Sequence, residues 1–280
     1  MEPTTEIAST PPTSETQPLI RLPVRHNPVL QQVLARINSD EELHALWQAQ
    51  NINAVDRLGM SDHGPVHMHI VANIALRLTR LLAERDVEFA LIKNYGALYG
   101  FTRNDVEVVV VLASLLHDVG MSIHRMDHEQ FSLFVAQPKI DDLLMDIYPV
   151  AARTILRSET LHAIISHRAG GHPLTVEAGV VRVADALDMA EGRSRIPIQA
   201  GHLNIHSVSA AAIEKVEIGP GEDRPVRIRI LMNNSAGIFQ IDELMKDKLQ
   251  GSGIERLVEV EATISGETEK RLIQFLKIEE

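Results

Sequence analysis

Residues 104–120, NDVEVVVVLASLLHDVG, form the most apolar run of the chain and close it on two ionisable side chains, His117 and Asp118. Four consecutive valines, Val108 to Val111, suit a buried strand as well as a buried helix. Two features favour the helix. The run is about fifteen residues long, beyond the usual strand, and it carries end signals: Asn104 and Glu107 at capping-box spacing, and Gly120 where a left-handed stop belongs. A helix this apolar lies at the centre of a fold. Ending it on two ionisable groups costs free energy unless they are hydrogen-bonded, solvated or bound to a metal. Neighbouring side chains diverge by about 100° within a helix but can converge at its end. The plain alternative is structural, a histidine capping the last carbonyls.

Upstream, MHIVANIALRLTRLLAE places Ile70, Val71, Ile74, Leu78, Leu81 and Leu82 on one stripe, and Pro65 predicts that this helix begins just before His67. Downstream, helices are expected over 127–136, 140–157 and 159–168, then a turn at RAGGHP, then a helix from near Thr175 carrying VEAGVVRVADALDMAEGR. Beyond about residue 200 the period becomes two. Val226, Ile228 and Ile230 alternate with Arg227 and Arg229, and Val258, Val260, Ala262 and Ile264 alternate with Glu259, Glu261 and Thr263. A shorter strand at EKVEIG, a helix at IDELMKDKLQ and a final helix from Glu267 to Lys277 complete a small α+β module. The expected fold is mainly α: a helical domain over 23–200, then the α+β module over 201–280, with the boundary near Pro197 to Gly201. Residues 1–22 read as a disordered tail, with neither the basic residues nor the apolar block of a signal peptide.

At 280 residues and 45% hydrophobic content the chain has ample core. The formal charge of −11 argues against a cationic face for bulk nucleic acid or anionic lipid, and 4% aromatics leave no platform for stacking single strands. No run of eighteen apolar residues suggests a membrane span, so a cytoplasmic protein is the expectation. Cysteine is absent, which excludes disulfides, thiolate zinc sites and cysteine nucleophiles, so any metal must sit on nitrogen and oxygen. Histidine is crowded instead: of 13, nine lie between His63 and His172. His63 and His67 stand four apart, His124 and His128 follow Asp118, His167 ends ETLHAIISHR, and Asp185 sits among Val183, Ala184, Ala186 and Leu187, on a helical face shared with Val181, Arg182 and Asp188. Such ligands suit iron, manganese, zinc, cobalt or nickel.

The order H, then HD, then D, written here as HMHIVANIA, LLHDVG and VRVADALDMA, resembles the HD-domain superfamily of metal-dependent phosphohydrolases over roughly residues 50–200. His67, followed at four by Val71 and at eight by Ala75, matches the opening helix of that family. His117 and Asp118 match its signature pair, and Asp185 its closing V-A-D-x-x-D-x-A pattern. The resemblance implies metal ligation by His67, His117, Asp118 and Asp185. In binuclear members the Asp of the pair bridges two ions and later histidines hold the second; His128 and His167 take those places, with His124 competing with His128. Arg168 stands where many relatives have another His, which argues against a third ion, and His63 is an auxiliary candidate. Met121 replaces the lysine of the H-D-x-G-K form and no GYP follows, so cyclic di-GMP is not the first substrate expected. The closer resemblance is to stand-alone archaeal and bacterial members with a small C-terminal α+β domain.

That resemblance implies hydrolysis of a phosphate mono- or diester, a nucleotide by preference, through metal-activated water with Asp118 fixing the ions. Arg168, beside a ligand, and Arg125, Arg182, Arg193 and Arg195 are candidate phosphate-binding cations. Two other readings stay open: a di-iron oxygenase built on the same ligands, and a non-catalytic nucleotide sensor. The resemblance implies a centre of two divalent ions rather than one, among manganese, iron, nickel, cobalt and zinc, and a homo-oligomer is compatible with it.

Overall fold

A computed structural model describes residues 19–189 and 205–265. The 104–120 run is the central helix, α5 (Arg103–Leu116), with every residue from Val108 to Leu116 buried. Its capping box lies two residues earlier than the spacing suggested. Thr102 is the N-cap, and Asp105 accepts from the Thr102 amide at 2.7 Å. Glu107 is diverted to a bidentate pair with Arg80 at 2.7 and 3.1 Å. Gly120 is also not the left-handed stop. A β-carbon there would lie 2.1 Å from the His128 carbonyl and 2.4 Å from the Ser132 amide, so its smallness lets two backbones meet.

Around α5 pack α1 (Pro28–Ser39), α3 (Pro65–Glu84), α7 (Val150–Ser166) and α8 (Val176–Leu187), with α2 (Glu41–Asn51), α4 (Ala90–Tyr99) and α6 (His128–Leu144) completing the bundle. α3 begins at Pro65, whose missing N–H costs nothing at a first helical position. α8 starts where expected, with the Thr175 side chain capping it, but ends at Leu187. The segments expected over 127–136, 140–157 and 159–168 are instead two helices. α6 runs through Pro138, burying Ile140, Leu143 and Leu144 beyond it. The break falls later, where Asp146 takes a φ of 61° and Pro149 caps α7. Ile20, expected in the tail, is buried and tied by its amide and carbonyl to the Asn38 side chain.

Beyond the bundle, α9 (Ile205–Ala211) leads into a three-stranded sheet of order β1 (Ile213–Pro220), β2 (Val226–Met232), β3 (Val258–Ile264). β1 and β2 are antiparallel, and β2 and β3 are parallel from Val226↔Val258 to Met232↔Ile264. The crossover between β2 and β3 carries the IDELMKDKLQ stretch, which is one wide helical turn, Gln240–Met245, and a short α10 (Lys246–Leu249) rather than a single helix. Val226, Ile228 and Ile230 are buried as their alternation predicts, whereas the second half of β3 is exposed. The sheet meets the bundle along α3, where Arg77 donates to the Ile218 carbonyl at 2.7 Å. No helix among the described residues is long and apolar enough to cross a membrane. The expected final helix at 267–277 and the boundary at 197–201 lie outside the described residues.

Candidate metal centre

Five helices deliver their ends to one point. His67 stands in the first turn of α3, His117 caps the C-terminus of α5 with Asp118 next to it, His128 opens α6, His167 caps α7, and Asp185 lies in the last turn of α8. All are buried except Asp185, whose side chain keeps 17% of its exposure. Asp118 faces two ways. Its Oδ2 lies 3.4 Å from His117 Nε2 and 3.7 Å from His67 Nε2, while Asp185 Oδ1 lies 3.6 and 3.5 Å from the same two nitrogens. Its Oδ1 lies 3.0 Å from His128 Nε2 and 3.5 Å from His167 Nε2.

Most of these gaps are too long for good hydrogen bonds. They lie at or a few tenths of an ångström above the roughly 3.0–3.4 Å that separates two donors each about 2.1 Å from a shared metal, a spacing a bound ion would close. The Nε2 atoms of His67 and His117 are buried without a hydrogen-bond partner, which apolar packing cannot explain. Three triads therefore fit an ion: His67–His117–Asp118, His117–His167–Asp185 and Asp118–His128–His167.

The opposite nitrogens explain why Nε2 points inward. Nδ1 of His117 meets the Ser114 carbonyl at 2.8 Å, Nδ1 of His167 meets the Ile164 carbonyl, and Nδ1 of His67 meets Asp188 Oδ2 at 2.6 Å. An acceptor at Nδ1 keeps the proton there and leaves the Nε2 lone pair for a metal. His128 differs, since its Nδ1 meets both the Arg125 guanidinium at 2.8 Å and the Arg125 carbonyl at 3.0 Å, so either tautomer is satisfied.

Electrostatics tell the same story. Burial alone would lower the His117 pKa, but the carboxylates of Asp118 and Asp185 raise it to about 9. Burial pushes Asp118 up, yet His117, His128 and His167 outweigh it and hold that carboxyl well below its usual range. Asp185 is held low in the same way, by Lys248 and His117 against burial. The pocket thus favours positive charge among its two carboxylates.

The other sequence candidates fall at varied distances. His124 is exposed, its Nδ1 accepting from the Met126 amide, so His128 rather than His124 reaches the cluster. The His63 ring lies 5.3 Å from the His67 ring, tilted by 53°, with its Nδ1 on the Ser61 carbonyl. Arg168 is exposed beside His167, Arg125 touches only the outer nitrogen of His128, and Arg193 and Arg195 lie outside the described residues. Arg182 is not placed for a substrate. Its guanidinium is buried and donates to the backbone carbonyls of Ser166, Arg168, Asp247 and Lys248. Two residues at the site carry roles the sequence does not assign: Asp188, the second Asp of the V-A-D-x-x-D-x-A pattern, and Lys248, which no local pattern distinguishes.

Two comparisons bear on this geometry. The family model described as HD domain matches residues 66–190. An uncharacterised protein of Methanocaldococcus jannaschii is 39% identical over 239 residues, which cover 85% of this chain and 90% of that protein.

Proposed function

The chain belongs to the HD-domain family, and from that premise we propose that it is a metal-dependent phosphohydrolase acting on a phosphate mono- or diester, by preference a nucleotide. The observation that carries the reading is the divided Asp118 carboxylate, with the partnerless Nε2 atoms of His67 and His117 beside one oxygen and His128 and His167 beside the other. One ion would be held by His67, His117, Asp118 and Asp185, and a second by Asp118, His128 and His167. Divalent manganese, iron, nickel, cobalt or zinc would there lower the pKa of water and neutralise phosphoryl oxygens.

The chain's own residues do the rest. Helix ends fix the donor atoms before any ion arrives, and Nδ1 partners lock three of the four rings. Two divalent ions against two carboxylates leave the pocket positive, so an anionic substrate suits a chain whose net charge is −11.

The test is metal analysis of the purified protein together with hydrolysis of a generic phosphodiester and a phosphomonoester, with Asp118→Ala alongside. Hydrolysis that depends on added metal and disappears in the variant supports the reading. Bound metal without hydrolysis, across manganese, nickel, cobalt and iron, rejects it in favour of an oxygenase or a nucleotide sensor.

A further inference from the structure

A cation from beyond the family's matched segment reaches the cluster. Lys248, on α10 in the crossover between β2 and β3, donates from Nζ to Asp185 Oδ2 at 3.1 Å and to the backbone carbonyl of His167. Asp185 faces the His67–His117 side of the cluster, and His167 the His128 side. The ammonium thus contacts the carboxylate of one candidate ligand and the backbone of another, and its side chain keeps 19% exposure.

The approach is built rather than incidental. α8 offers Gly179, Arg182 and Asp185 at three-residue steps along one face. A β-carbon at Gly179 would lie 2.2 Å from the Ser252 carbonyl, so glycine lets the segment after α10 lie against α8. Arg182 grips the carbonyls of Asp247 and Lys248 at 3.4 and 2.9 Å, and Asp185 takes the ammonium. The backbone is already anchored by Arg182, so the Lys248 side chain is not needed as a strap. Among the described residues no other lysine or arginine is paired with a carboxylate of the cluster.

We propose that Lys248 is a substrate-binding residue of this site, donating to a phosphoryl oxygen of the anion held there. This rests on the hydrolase reading above. An ammonium has three donors, of which Asp185 and His167 take two. The third remains for an anion, and a charged hydrogen bond in a partly buried site contributes substantially to affinity. The substrate pocket is then completed by the C-terminal lobe, not by the helical bundle alone.

The experiment titrates inorganic phosphate into the manganese-loaded full-length protein by calorimetry, comparing wild type with Lys248→Gln, Lys248→Met and Lys248→Arg. Metal content and melting temperature are measured on each. Glutamine keeps donors toward Asp185 and His167 but removes the charge, so it is the variant least prone to loosen the lobe. The expected result is metal content as in wild type, phosphate affinity lowered about tenfold or more in the glutamine and methionine variants, and most of it kept in the arginine variant. Unchanged phosphate affinity in Lys248→Gln overturns the proposal. So does loss of metal in that variant, because Lys248 would then act through Asp185 alone. A wild-type protein that binds manganese but no phosphate overturns this proposal, whereas the hydrolase reading falls only if the metal-loaded protein hydrolyses neither the phosphodiester nor the phosphomonoester.

Discussion

His67 Nδ1 and Asp188 Oδ2 lie 2.6 Å apart, joining the first turn of α3 to the residue that ends α8 across 121 positions of sequence. The contact keeps the ring proton on Nδ1 and turns Nε2 to the pocket. Asp188→Ala should therefore weaken metal binding by roughly 10–100-fold. Asp188→Asn should cost less, because its amide oxygen still accepts. Isothermal titration with manganese checks both, and equal affinity in wild type and Asp188→Ala would mean that the contact does not set the ring.

His124 and His128 are hard to separate by spacing alone, yet they differ in three dimensions. His128 Nε2 lies 3.0 Å from Asp118 Oδ1, whereas His124 faces solvent. His128→Ala should lower the metal content of the purified protein, by up to one ion per chain, and His124→Ala should leave it unchanged. Elemental analysis after gel filtration distinguishes them, and metal loss in His124→Ala would reverse the assignment.

What could be read in the sequence follows from how local each signal is. The central helix, the Pro65 start and the helix start near Thr175 were legible because they depend on residues within one or two turns. His67, His117, Asp118 and Asp185 were legible through the ordered H, HD, D resemblance to the HD-domain family, and Asp118 and Asp185 also because a carboxylate beside strongly apolar neighbours calls for a partner. Asp188 and Lys248 were not, since their roles come from partners 121 and 63 positions away. Arg182 misled for a related reason: a guanidinium that satisfies four carbonyls looks, in sequence, like one waiting for phosphate. The α6–α7 break was placed wrongly because Pro138 is tolerated within α6, while Pro149 and the left-handed Asp146 make the stop.

The cluster also sets a pH dependence of opposite sign with and without metal. In the metal-free protein the carboxylates raise His117 from 6.5 to about 9 despite its burial. The folded state then holds that proton more tightly than the unfolded chain, so the stabilisation is complete below pH 6.5 and is lost as pH rises through about 9. Asp118 and Asp185 are held below 3.8, so their contribution is present above that value and is lost in strong acid. Metal ligation needs the imidazoles deprotonated, so metal stabilises more as pH rises. Between pH 6.5 and about 9.5 the melting temperature of chelator-treated protein should fall relative to that of manganese-loaded protein. Parallel curves from the two samples would show that proton and metal do not compete at His117.

Gly120 links packing to this site. The next residue after Val119 in the turn that follows Asp118, it has no room for a β-carbon, which would lie 2.1 Å from the His128 carbonyl and 2.4 Å from the Ser132 amide. Both obstacles are backbone, so α6 must shift to admit a methyl group. The Gly120 amide also donates to the Ser132 hydroxyl at 2.9 Å, fastening the same two segments. Gly120→Ala should cost about 1–3 kcal/mol or more, lowering the melting temperature by roughly 2–4 °C for each kcal/mol. Gly219→Ala, where no atom lies within 4 Å of the added carbon, should change stability by less than about 0.5 kcal/mol. Because the displaced helix begins with His128, the alanine at 120 should also reduce metal content, whereas the alanine at 219 should not. A Gly120→Ala protein with wild-type melting and full metal content would mean that α6 and the turn are free to part without moving His128.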